Sequence, residues 1–103
     1  MRRFADKETE EDLLRVLAAV DEPGKMGRLL KEVLTDTEYG ALCRRWAILR
    51  LLERGLTQRA IAGEIGGSLC NVTRGARILR NPRSIAAEML RREAACGAKG
   101  AKA

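Results

Sequence analysis

The spacing of the apolar residues is the feature that most restricts how this chain can fold. Apolar side chains recur at intervals of three and four residues, and nowhere do they alternate strictly over the length of a strand. Such intervals place side chains on one face of a helix, whereas a half-buried strand requires alternation. The sequence therefore predicts an all-α protein. Its six helices are expected at about 8–20, 25–34, 36–54, 58–65, 69–80 and 85–95.

Residues that end or cap helices separate these segments. Pro23 follows the first predicted helix, and Gly55 follows the third. Thr35, Thr57 and Ser84 each precede a helix at the position where a hydroxyl can accept a hydrogen bond from a free backbone amide. These signals fix the expected boundaries.

The length of the chain, 103 residues, predicts a single domain. We expect the domain to span residues 1–95, because residues 96–103 have no apolar face and are predicted to form a flexible tail. The third predicted helix is apolar on nearly every side, and a chain this short has few other elements to cover it. We therefore expect a second subunit, and hence a homodimer.

The composition argues against an enzyme. The chain contains no histidine, so it lacks an imidazole base and the usual mixed ligands of zinc. Its three cysteines, Cys43, Cys70 and Cys96, fit neither a disulfide framework nor a metal-binding motif. No segment has the apolar run of a signal peptide or a membrane span. These features predict a cytoplasmic protein with no catalytic residue, no metal and no membrane association.

Positive charge is concentrated in one part of the chain. The net charge is +6, and residues 54–83 carry six basic side chains but only one acid. A dense positive surface attracts a polyanion, although a solvated charged face has the same composition. Aromatic residues make up only 3% of the chain, which disfavours the stacking platforms that bind single strands. Charge alone leaves both interpretations open, and it favours a duplex over a single strand if the partner is a nucleic acid.

Two predicted helices on either side of Gly66 have the pattern of a helix-turn-helix motif, at about 57–80. Ile61, Ile65 and Val72 fall where two crossing helices would share a core. In such a motif the second helix enters the major groove, and the first lies across the DNA backbone. The pattern therefore assigns DNA binding to this part of the chain.

The same pattern indicates which side chains would contact DNA. Asn71, near the start of the second helix, fits an adenine edge, and Arg59 on the first helix fits guanine. Packing against a neighbouring helix is the alternative for Leu69 and Cys70, and plain solvation is the alternative for Arg77 and Arg80. The predicted DNA-binding residues are Arg59, Ser68, Leu69, Cys70, Asn71, Thr73, Arg77 and Arg80.

Several short motifs lie between residues 29 and 82. They are Leu34-Thr35, Ala41-Leu42, Arg45, Gln58-Arg59, Gly66 and Val72-Thr73-Arg74-Gly75 followed by Leu79. This set resembles the tryptophan repressors of bacteria, and the Thr-Arg-Gly run in the second helix of the motif is its most specific part. The resemblance implies a six-helix fold in an interlaced homodimer. It also implies a repressor that binds operator DNA, with L-tryptophan as corepressor.

The resemblance further implies a site for the corepressor. In the family, two arginines that match Arg45 and Arg74 lie on either side of the indole, and two backbone carbonyls and a threonine bind the ammonium group. Guanidinium groups suit both an indole face and a carboxylate. The implied L-tryptophan-binding residues are Glu32, Leu34, Thr35, Arg45, Arg74, Gly75 and Ile78.

Alternatives remain for both the site and the function. Phosphate binding is the alternative for Arg74, and an ion pair with an acid such as Glu38 is the alternative for Arg45. At the level of function, a regulator of the same fold that does not respond to tryptophan is one alternative. A helical interaction protein whose basic face docks an acidic partner is the other.

Overall fold

The computed structural model describes residues 6–65 and 69–100, with side chains as far as residue 95. Within these ranges all regular structure is helical, which confirms the predicted fold class. The helices are α1 (Lys7–Ala19), α2 (Pro23–Val33), α3 (Asp36–Glu53), α4 (Gln58–Ile65), α5 (Leu69–Arg80) and α6 (Ile85–Gly100).

The start of α2 differs from the prediction by two residues. The sequence pattern predicts Pro23 only as the end of the preceding helix, but Pro23 is the first residue of α2. Proline is well suited to this position because its missing N–H would have no helical partner there. The carboxylate of Glu22 accepts a hydrogen bond from the Lys25 amide at 2.8 Å and so caps the helix.

The end of α6 was also predicted wrongly, because the helix continues from the expected end at residue 95 to Gly100. This segment contains no proline, and its alanines and lysine are strong helix formers. Two glycines, at about 1 kcal/mol each relative to alanine, weaken the helix without ending it. The flexibility of residues 96–103 stays a prediction, and residues 101–103 lie outside the described part of the chain.

The predicted caps around α4 and α6 are confirmed. The hydroxyl of Thr57 accepts a hydrogen bond from the Ala60 amide at 3.1 Å, and that of Ser84 accepts one from the Ala87 amide at 3.0 Å. Gly55 ends α3 with a positive φ of 95°, which glycine adopts without the steric cost of a side chain. Gly66, where the sequence predicts the break between α4 and α5, lies outside the described residues.

The chain divides into two compact units, an N-terminal unit (Met1–Tyr39) and a C-terminal unit (Gly40–Ala103). Neither α1 nor α2 contains a fully buried residue. The prediction of a single domain over residues 1–95 stays a prediction.

At the start of α1, hydrogen bonds from Thr9 to the Asp6 carboxylate hold the pKa of Asp6 below its usual range.

The core of the C-terminal unit joins α3, α4 and α5. Ile48 of α3, Ile61 of α4 and Val72 of α5 are almost completely buried and pack together. Ile65 packs against this cluster, as the helix-turn-helix pattern predicts. The core therefore holds α4 and α5 against each other and against α3, and it fixes which face of each helix remains exposed.

Candidate nucleic-acid interface

Most of the predicted DNA-contacting side chains lie on the exposed face of α5. Leu69 is 57% exposed, so it is not packed in the core of the C-terminal unit. Asn71 is half-buried, and Ser68 lies outside the described residues. Val72 is buried on the opposite face of the helix. The exposed residues of this helix are Leu69, Cys70, Thr73, Arg74, Arg77, Ile78 and Arg80.

Two open depressions follow the exposed face of α5. The larger has a volume of about 610 Å³ and is lined by Cys70, Asn71, Arg74, Arg77, Ile78 and Asn81. The smaller, of about 350 Å³, is lined by Leu69, Cys70, Thr73, Arg74 and Arg77. Arg74 and Arg77 therefore contribute to both, and their planar guanidinium groups suit phosphate or carboxylate oxygens.

The electrostatic character of the C-terminal unit is strongly basic. Its sequence carries 13 basic and four acidic side chains, whereas the N-terminal unit carries seven basic and ten acidic ones. Helix α5 contains three arginines and no acid. Among the described residues the one ion pair is between Arg15 and Asp12 in α1, so no described carboxylate neutralises the arginines of α5. Their charge is available to an anionic partner.

Helix α4 contributes Arg59, which is exposed. The residue before it, Gln58, accepts a hydrogen bond from the hydroxyl of Thr73 on α5, with 3.2 Å between the oxygens. Sequence reasoning placed Thr73 among the DNA-contacting residues but assigned nothing to Gln58. The two residues are 15 positions apart, and the periodicity of neither helix indicates that they meet. The only signal available was the match of Gln58-Arg59 to the family.

The implied tryptophan-binding residues of the C-terminal unit lie in different environments. Arg45 and Arg74 are exposed, and Ile78 lines the larger depression together with Arg74. Gly75 is buried, and a Cβ atom there would lie 3.1 Å from Leu52 Cδ1 of α3. Gly75 therefore has a packing role, since the missing side chain lets α5 approach α3 closely.

The implied tryptophan-binding residues of the N-terminal unit lie where α2 ends and α3 begins. Glu32 is exposed, and Leu34 is half-buried with its amide donating to the Leu30 carbonyl at 2.8 Å. The Thr35 hydroxyl accepts a hydrogen bond from the Glu38 amide at 3.1 Å, and the Glu38 carboxylate accepts one from the Thr35 amide at 2.8 Å. This reciprocal pair confirms Thr35 as a helix cap.

No described helix is long and apolar enough to cross a membrane.

Comparison with known proteins identifies the family. A family model described as "Trp repressor protein" matches residues 7–94, which is most of the chain. No curated protein and no solved structure matches the chain significantly. The members of the matching family are DNA-binding transcriptional regulators and not enzymes. The all-helical fold, the basic face of α5 and the match over residues 7–94 agree, and the chain belongs to the Trp repressor family.

Proposed function

We propose that this protein is a transcriptional repressor that reads a specific double-stranded operator through α4 and α5. The observation that carries the proposal is the exposed face of α5, where Leu69, Arg74 and Arg77 lie together in a helix without acids. A helix of 12 residues is about 18 Å long and fits the major groove. Arginines on this face would contact phosphates or guanine, and Leu69 would contact a thymine methyl group.

An experiment in which the protein selects its preferred sequence from a library of random duplexes tests this proposal. The wild-type protein should enrich a common sequence from a library of random duplexes. Arg59→Ala should weaken binding to the selected duplex by about 1–3 kcal/mol and weaken binding to random duplex less, because the loss of a base contact affects only the specific complex. Arg80→Ala, the matched control, should weaken both complexes alike and reduce the salt slope by about one unit.

Other outcomes of this experiment exclude the proposal. Equal losses on the two duplexes for Arg59→Ala would show that Arg59 does not read bases. If the protein enriches no sequence and its binding to duplex is independent of salt, it does not act on DNA. A basic face that docks an acidic protein would then be the better explanation.

L-Tryptophan is the proposed corepressor. Support from the structure is confined to the C-terminal unit, where the larger depression on α5 combines the guanidinium groups of Arg74 and Arg77 with the apolar side chain of Ile78. A ligand with a carboxylate and an apolar ring suits such a lining.

Thermal unfolding with and without L-tryptophan tests the corepressor. A ligand that binds only the folded state raises the melting temperature by mass action, and if it also tightens operator binding the coupling must be reciprocal. We expect both effects in the wild-type protein and neither in Arg45→Ala. The matched control is Arg44→Ala, which removes an exposed arginine from the neighbouring position of α3 and should keep the response.

A different result would redirect the assignment. No shift of the melting temperature and no heat of binding at millimolar L-tryptophan would exclude tryptophan as the effector. If the same protein still enriched a DNA sequence, it would be a regulator of this fold that does not respond to tryptophan.

The proposed assembly is a homodimer. On α3, Leu42 is 46% exposed and Trp46 is 39% exposed, although both are large apolar side chains. The two residues are four positions apart and therefore share a face of the helix. Ile48 and Leu49 of the same helix are buried within the chain. A second subunit that covers Leu42 and Trp46 would account for a helix that is apolar on nearly every side.

A further inference from the structure

The two helices of the proposed DNA-binding surface are joined in two physically different ways. Ile61 of α4 and Val72 of α5 are fully buried against each other's helix in the core. On the surface, the Thr73 hydroxyl donates a hydrogen bond to the side-chain carbonyl of Gln58. This hydrogen bond joins the first residue of α4 to the middle of α5. We call this pair the Gln58–Thr73 bridge.

The two kinds of contact constrain the helices differently. Burial of apolar side chains is non-directional, so it holds α4 and α5 together while tolerating small changes in their angle. A hydrogen bond requires a narrow range of distance and angle between its two groups. The bridge therefore restricts the relative orientation of the two helices more tightly than the core alone does.

The bridge lies among the side chains that are proposed to contact DNA. Gln58 is the first residue of α4 and directly precedes Arg59. Thr73 lines the smaller depression together with Leu69 and Arg77. A change in the angle between α4 and α5 would therefore move Arg59 relative to Leu69 and Arg77.

We propose that Gln58 is a positioning residue for sequence discrimination, which it serves by holding Thr73 and thereby fixing α5 relative to Arg59. This inference rests on the proposed function, because it concerns how the same surface discriminates between DNA sequences. Base contacts from two helices form together only when both helices are correctly oriented. Attraction to phosphates depends on charge and tolerates a variable angle. Loss of the bridge therefore reduces specificity more than it reduces overall affinity for DNA.

The experiment measures the ratio of affinities for the duplex selected by the wild-type protein and for a random duplex. Gln58→Ala and Thr73→Val should each lower this ratio about three- to tenfold, in line with the loss of one hydrogen bond. The double variant should lower it no further, since either substitution already removes the bridge. Thr73→Ser retains the hydroxyl and should restore the ratio.

A matched control separates the loss of the bridge from the chemistry of the substitution. Thr37→Val makes the same replacement at an exposed threonine in the first turn of α3. It should leave the affinity ratio at its wild-type value. Thermal unfolding of all the variants should stay close to that of the wild type, because the bridge is exposed and the core is intact.

Four outcomes would overturn the inference. An unchanged ratio in Gln58→Ala would show that packing alone sets the orientation of α5. Losses that add up in the double variant would show that Gln58 and Thr73 act on DNA independently. Parallel losses of melting temperature and of binding to both duplexes would indicate a merely structural role. Failure of the wild-type protein to select any duplex would remove the proposed function as well, which distinguishes that failure from the other three.

Discussion

Ile61→Ala is expected to lower the free energy of unfolding by about 2–5 kcal/mol, as truncations of buried isoleucines do. Ile61 is fully buried between α3, α4 and α5, so the substitution leaves a cavity that the surrounding helices fill only partly. Small domains are stable by only about 5–15 kcal/mol in total. We therefore expect a large decrease in the midpoint of urea unfolding, measured by circular dichroism, together with a loss of binding to both selected and random DNA.

The matched control truncates an exposed side chain of similar size. Leu69→Ala removes a leucine that is 57% exposed on α5, so the free energy of unfolding should change by less than about 0.5 kcal/mol. Its binding to the selected duplex should nevertheless weaken, because Leu69 is proposed to contact bases. Equal destabilisation by the two variants would mean that Leu69 is packed and that the DNA-contacting face has been assigned incorrectly.

Local features of this fold could be predicted from the sequence because their causes are local. A threonine hydroxyl caps the helix that follows it within three residues, and both Thr35 and Thr57 do so as expected. Gly55 ends α3 because it adopts a positive φ at low cost. The bounds of α4 and α5 also agree with the prediction, since residues that cap or end helices stand on both sides of each helix in the sequence.

The predicted start of α2 and end of α6 are wrong because proline and glycine each have two opposite effects on a helix. Proline excludes the interior of a helix but favours its first turn, so the same residue is consistent with the end of one helix and with the start of the next, and Pro23 begins α2. Glycine lowers helix propensity without excluding a helix, and α6 therefore continues through Gly97 to Gly100. A sequence pattern does not say which of the two effects dominates.

Contacts between residues of different helices cannot be predicted from the spacing of apolar residues along the chain. The Gln58–Thr73 bridge joins residues 15 positions apart, and it depends on the angle at which α4 and α5 cross. Gly75 matches a ligand-binding position of the family, yet here it is buried where α5 meets the side chains of Ile48 and Leu52. Periodicity identifies the buried face of a helix, but the identity of the partner across that face depends on the tertiary fold.

Leu42→Glu is expected to convert the proposed dimer into a folded monomer. Leu42 is 46% exposed within the chain, so a glutamate there costs the isolated subunit little. In a dimer that covers this face, the same glutamate would be an unpaired charge away from water, which is strongly unfavourable. Light scattering should give the mass of a monomer for the variant and of a dimer for the wild type, while circular dichroism shows similar helix content for both.

Glutamate substitutions at two other leucines show how the result for Leu42→Glu is to be interpreted. Leu49 is only 8% exposed and is part of the subunit's own interior, so Leu49→Glu should unfold the chain whether or not a dimer forms. Leu69→Glu places the same charge on the proposed DNA-contacting face, and it should leave the dimer intact while preventing DNA binding. A dimeric Leu42→Glu variant would mean that this face of α3 is not the interface between subunits.

The same variant should have a large effect on DNA binding, because a dimer presents two copies of α5 to one duplex. Once the first copy is bound, the second binds as an intramolecular event, and such linkage raises affinity by about 100-fold or more. Leu42→Glu should therefore lose about that factor on a duplex with two half-sites and lose little on a single half-site. Equal losses on the two duplexes would indicate that Leu42 affects the DNA-contacting surface itself, whereas a loss confined to the paired half-sites would show that two subunits read the operator together.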